Sequence, residues 1–135
     1  MAFAAAQGHV TGRGWALFAA NLFWVVAYDT EYAMVDREDD VRIGVRSSAI
    51  LFGRADIAAV AACYFTYLAA LAGLAQWFGL GRCFALGWTG AAACAGLHLW
   101  WIRGREPRQC FRAFLHNHWL GMSVFAGIAA DYALR

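Results

Sequence analysis

The chain has 135 residues, 62% of them apolar and only 15% charged, against about 25% charged and roughly 45–50% apolar in an ordinary soluble domain. Eleven basic residues, all Arg, nine acidic ones, a single Pro and a mean hydropathy of +0.48 exclude a disordered tail, a collagen-like repeat or a Pro-rich linker, and point to a bilayer as the solvent. The net charge of +2, spread over small Arg groups, excludes a nucleic-acid partner, because a polyphosphate calls for a clustered basic face.

The opening MAFAAAQGHV is apolar but too short to span, and it lacks the charged n-region of a secretory signal. A crossing helix needs about 20 mostly apolar residues. Residues 14–35 predict the first, an uncharged run continued through Asp29, Glu31 and YAMV to Val35, so that an apolar helix ends in acids. Residues 57–81, 83–102 and 113–130 carry no formal charge and predict three more, the last broken by the polar trio His116, Asn117 and His118. These three are placed to line a bundle interior, without the spacing of metal ligands. The fold class expected is all-α, a polytopic membrane bundle of about four transmembrane helices, forming one unit without internal repeat or domain boundary.

Small residues in AAVAAC, LAALAGLA, TGAAACAG and GMSVFAGIAA predict close helix approach, as membrane bundles require. Cys63, Cys83, Cys94 and Cys110 show no C-x-x-C spacing and read as small hydrophobes. Arg37, Arg42, Arg46 and Arg54 fall in one connection and Arg103, Arg105, Arg108 and Arg112 in another, eight against Arg13, Arg82 and Arg135 elsewhere. Positive residues stay on the cytoplasmic side, so both Arg-rich connections are expected inside and both chain ends outside. Trp15, Trp77, Trp100 and Trp101 fall near the expected span ends and read as interfacial anchors.

Six of the nine acids lie between Asp29 and Asp40, in YDTEYAMVDREDD. At about 100° per residue, a continuous helix brings Asp29, Asp36 and Asp40 within about 40° of one another, while Glu31 and Glu38 point about 160–180° away. A carboxylate stripe flanked by Tyr28 and Tyr32 results. Like charges at this spacing repel, more strongly near a membrane, so a cation is expected. Mg²⁺ suits it, since that ion takes one or two carboxylates together with substrate phosphates. A Ca²⁺ EF-hand is excluded, because DREDDV has no Gly at the sixth position. The equally open alternative is a solvated helix end whose acids pair with Arg37, Arg42 and Arg46. An acid near a span is costly, which favours a functional Asp29. Gly44 predicts a turn after the acids, and Arg42 and Arg46 are placed either to hold a diphosphate or simply to mark the inner side. His9 and His98 stand alone and predict no chemistry.

The block from Asn21 to Gly53, with YDTEYAMVDREDDVRIGVRSSAILFG, resembles the second aspartate-rich region of the UbiA-type intramembrane prenyltransferases. Within that family it is most similar to the 4-hydroxybenzoate polyprenyltransferases of ubiquinone biosynthesis. C110-F111-R112-A113-F114 with Asn117 and Gly121 resembles the start of the family's final helix. Asp36 and Asp40 match the family's second D-x-x-x-D, Asp29 the acid of its Y-D dipeptide, and Tyr28, Tyr32 and Asp39 their neighbours; Arg42 and Arg46 stand where these enzymes often carry Lys. The resemblance implies Asp29, Asp36 and Asp40 as Mg²⁺ ligands, Asp36 and Asp40 as the catalytic pair, and Arg42, Arg46, Tyr28 and Tyr32 as substrate contacts.

It further implies a nine-span bundle in the bacterial inner (cytoplasmic) membrane with the aspartate-rich loop cytosolic. There Mg²⁺ would stabilise the diphosphate leaving a polyprenyl diphosphate, and the allylic cation would alkylate the ring of 4-hydroxybenzoate. The family's first aspartate-rich region, N-D-x-x-D-x-x-x-D, has no counterpart here. The chain is therefore expected to be a C-terminal half, supplying one half-site, inactive alone and partnered by the missing N-terminal half. Prenylation of another aromatic or quinone precursor, a non-catalytic membrane module and a truncated gene product are the alternatives.

Overall fold

The computed structural model describes residues 2–134; Arg135, counted on the outer side, and Met1 lie outside the described residues. A short helix α1 (Ala2–Gln7) leads into four long ones. They are α2 (Gly12–Val35), α5 (Asp56–Phe78), α6 (Arg82–Ile102) and α7 (Pro107–Ala133). Two short helices, α3 (Arg37–Ile43) and α4 (Ser48–Phe52), and a 3₁₀ turn (Gly53–Ala55) join α2 to α5. The four long helices correspond to the four expected spans, and the described residues contain no strand.

The ends follow from local chemistry. Thr11 caps α2 by accepting the Gly14 N–H at 3.3 Å, satisfying one of the orphan donors of a helix start. α5 stops where Gly79 turns left-handed (φ 65°) and returns its N–H to the last carbonyls. α7 begins at Pro107, whose fixed φ suits the first helical position. It starts six residues before the expected span, because Arg108 and Arg112 are helix formers whose charge matters to hydropathy and not to the backbone. His116, Asn117 and His118 do not break it.

α6 and α7 pack closely along small residues. A Cβ on Gly87 would lie 2.4 Å from the Ser123 carbonyl oxygen and 2.8 Å from Gly127 Cα, so only glycine permits this approach. α2 lies against both α5 and α7. Large apolar side chains face outward, including Phe65, Leu86 and Phe125, while Glu31, Thr30, His98 and Asn117 are buried. Polar inside and apolar outside is the arrangement a lipid solvent selects. Among the described residues Ser48–Phe78 alone has the length and apolarity to cross a membrane by composition. In α7, Arg108, Arg112 and His118 are exposed. Of the polar trio expected to line the interior, Asn117 is buried, His116 half-buried and His118 turned outward, because it lies about 100° around the helix from Asn117. Trp15, Trp77 and Trp100 are exposed as anchors should be, but Trp101 is buried, stacked on His98 at 5.9 Å between centroids and covered by the Arg112 guanidinium at 4.2 Å.

Candidate functional site

The expected carboxylate stripe is divided between two helices. α2 stops at Val35, Asp36 takes φ −95° and ψ 9°, and α3 starts at Arg37. Asp29 therefore belongs to α2 and Asp40 to α3, with Asp36 at the joint, and the arithmetic of one continuous helix does not apply across it. The bend has a physical origin in Arg37, whose guanidinium turns away from the neighbouring acids. It donates to the carbonyls of Ala49 and of Gly53, the latter at 2.7 Å, and pairs with Asp56 at 2.9 Å.

Asp29 is exposed and Asp36 and Asp40 are half-buried. Glu38, Asp39 and Asp40 occupy the first turn of α3, where the helix dipole favours negative charge. Gly44 closes α3 in the left-handed region (φ 76°) with its N–H on the Asp40 carbonyl, which confirms the turn expected there. Arg42 reaches Asp39 at 3.3 Å, both side chains being largely exposed; Arg46 is exposed as well. Tyr28 and Tyr32 are directed toward α7, with centroids 6.2 Å and 5.0 Å from that of Phe114. Among the described residues no three His, Cys, Asp or Glu side chains converge as a metal cage. The donor set nonetheless suits Mg²⁺, a hard ion that keeps several waters and takes one or two carboxylates with phosphate oxygens.

Below these acids lies a polar network that the sequence reading did not find. Glu31, wholly buried, accepts from Tyr64 Oη at 2.8 Å and from Asn117 Nδ2 at 2.7 Å. Asn117 Oδ1 accepts from Trp24 Nε1 at 3.0 Å. His98 Nδ1 lies 3.0 Å from Tyr64 Oη, and His98 Nε2 lies 3.0 Å from His116 Nδ1. Tyr64 Oη lies within reach of both Glu31 and, at 3.0 Å, Asn117 Oδ1; where its single proton goes to Glu31, His98 donates through Nδ1 and accepts at Nε2 from His116. One cluster thus ties α2, α5, α6 and α7 together. Periodicity held the signal: Glu31 shares a helical face with Ala27 and Met34, His98 with Ala91 and Ala95, and Asn117 with Ala113 and Leu120, all buried.

A second cluster centres on Asp56, which is fully buried. Besides Arg37 it receives Arg105 from the α6–α7 turn, Nη2 at 2.7 Å and Nε at 3.1 Å, and its own neighbour Ile57 N–H at 2.7 Å. The hydrogen bond to Asp56 holds the Arg105 guanidinium above its ordinary pKa.

An apolar groove of about 730 Å³ runs between α2, α5 and α7, with Phe18, Trp24, Tyr67, Leu71, Phe125 and Ile128 among its walls. Trp24 stacks on Tyr67 at 5.7 Å and joins this groove to the buried network through Asn117.

The model of the UbiA prenyltransferase family matches residues 1–121. The chain belongs to that family. It is 55% identical over 133 residues to a 4-hydroxybenzoate octaprenyltransferase of Paraburkholderia phytofirmans, covering 98% of this chain and 46% of that protein. Similar relatives of the same name are those of Cupriavidus necator, 53% identical over 135 residues (100% and 47%), and Dechloromonas aromatica, 52% identical over 132 residues (98% and 45%). The chain spans about half the length of these curated relatives. No solved structure matches it. With family and apolar helices together, it is an all-α integral membrane protein.

Proposed function

We propose that this UbiA-family chain supplies the second aspartate-rich half-site of a Mg²⁺-dependent 4-hydroxybenzoate polyprenyltransferase in the bacterial inner membrane, with the aspartate-rich segment on the cytosolic side. The observation that carries this reading is the 52–55% identity over 98% or more of the chain to proteins named for that reaction. The carboxylates of Asp36 and Asp40, joined by Asp29, would hold the cation. Arg42 and Arg46 would contact the diphosphate oxygens, and the apolar groove beside Trp24 suits an isoprenoid chain. Tyr28 and Tyr32 would border the reacting carbon. Bound Mg²⁺ would neutralise the negative charge that develops on the departing diphosphate.

The test is prenyl transfer in membranes that contain this chain together with the N-terminal half of a relative. Asp36→Ala with Asp40→Ala should lower transfer from polyprenyl diphosphate to 4-hydroxybenzoate at least a hundredfold, and chelation of Mg²⁺ should abolish it. Activity that survives both overturns the assignment. Transfer only to a different phenol or quinone precursor would overturn the acceptor alone.

A further inference from the structure

α3 carries one proposed cation ligand, Asp40, and follows directly on another, Asp36, yet none of its seven residues is buried. Apolar packing therefore does not hold it. Its anchorage comes through Arg37, the residue between the two acids, whose guanidinium reaches across to Ala49, Gly53 and Asp56. The same Asp56 carboxylate is gripped from the opposite side by Arg105, which also donates to the Arg54 carbonyl at 3.0 Å. Arg105 adopts φ 52°, the one described non-glycine residue with positive φ, a conformation that persists where surrounding contacts over-determine it. A buried carboxylate between two guanidinium groups is neutralised and hydrogen-bonded, so the arrangement is rigid rather than a solvated surface pair.

We infer that Arg37, Asp56 and Arg105 form a positioning clasp that fixes α3 against the start of α5 and the α6–α7 turn, and thereby sets where the Asp36 and Asp40 carboxylates would hold the cation of a metal–diphosphate. The clasp rests on the diphosphate-site reading above. None of its three members touches the substrate; each acts through the placement of α3. Arg42, paired with exposed Asp39, and exposed Arg46, by contrast, turn outward from the same stretch of chain. Breaking the clasp should loosen the ligands without emptying the site.

The test combines two measurements on the chain assembled with the N-terminal half of a relative in lipid nanodiscs. Arg37→Gln leaves Asp56 paired with Arg105, so the bundle should persist. Its α3 amides should exchange hydrogen at least tenfold faster than in the parent, while α6 and α7 exchange is unchanged. Arg37→Lys should restore part of the protection. Arg105→Gly removes the second guanidinium while relieving the left-handed backbone, and should loosen α3 in the same sense. In the transfer assay, the KM for Mg²⁺–polyprenyl diphosphate should rise about tenfold in Arg37→Gln, with kcat within threefold and the acceptor KM unchanged. A purely structural role would lower the active fraction, and hence kcat, at constant KM, which overturns the inference. Unchanged α3 exchange also overturns it. Parent assemblies that transfer no prenyl group refute the functional reading and the positioning role with it, whereas an active parent with an indifferent variant refutes the clasp alone.

Discussion

Asn117→Ala removes the amide that joins three helices at the bundle centre, at a residue only 4% exposed. Tyr64 keeps Glu31 Oε1 as an acceptor at 2.8 Å, so its hydroxyl is not stranded. Glu31 Oε2 loses its 2.7 Å donor and Trp24 Nε1 its 3.0 Å acceptor. The buried Glu31 oxygen left without a donor costs about 1–3 kcal/mol, and the half-buried Trp24 N–H adds at most as much, giving about 1–6 kcal/mol together. Interhelical hydrogen bonds in membrane bundles average nearer ~0.6 kcal/mol, which sets a floor of about 1. We expect a loss of about 3 kcal/mol, read from reversible unfolding in mixed micelles. The cause is separable in a double-mutant cycle. In a Glu31→Gln background the carboxylate is absent, and the cost of Asn117→Ala should fall by at least about 1 kcal/mol. A loss below about 1 kcal/mol in the parent, or strict additivity in the cycle, would refute the idea that Asn117 satisfies a buried carboxylate.

Gly87→Ala should destabilise by about 1–3 kcal/mol in the same unfolding assay, because its Cβ meets backbone atoms of α7 at 2.4–2.8 Å and the helices must part. Gly96→Ala, whose Cβ meets nothing within 4 Å, should be neutral or stabilising by up to about 1 kcal/mol from helix propensity alone; a reversed order would contradict the packing. Arg42→Ala should change stability by less than about 0.5 kcal/mol, since its partner Asp39 is mostly exposed, while raising the diphosphate KM several-fold in the assembled enzyme. A stability loss beyond about 1 kcal/mol would show that Arg42 is engaged in the fold.

The four long helices were legible because lipid demands continuous apolar stretches with internally bonded backbones, and the charge-free runs mark them within a few residues, apart from the early start of α7. Gly44 was legible too, as a glycine directly after a charged run. Small residues announced close approach, and Gly127, within one of those stretches, realises it against Gly87, which lies just outside them. What escaped was everything decided by long-range pairing. Arg37 was read among possible partners of the acids on either side, but Asp56, distant in sequence, competes better because it is buried and rigidly presented. That one pairing bends the chain at Asp36. Trp101 was read as an anchor from its place at a span end, whereas its helical phase with His98 carries it inward. His98 itself looked solitary in sequence, and gains meaning only beside Tyr64 from α5 and His116 from α7.

Asp29 and Glu31 show most directly how two residues of like chemistry part ways. They are separated by two positions, hence by about 200° around α2. Glu31 falls on the face with Ala27 and Met34 and is enclosed, its two oxygens filled by Tyr64 and Asn117. A carboxylate so enclosed is not presented to an incoming cation, and moving it would strand the groups that hold it. Asp29 falls on the opposite face and is exposed, where water can exchange for a metal at little cost. The helix thus keeps one acid to lock its register in the bundle and presents the other outward. The same division recurs past the bend, where Arg37 turns inward to Asp56 and Arg42 outward. Alternate faces of a single segment fix the backbone on one side and present charge to solvent on the other, which is what the proposed diphosphate site requires.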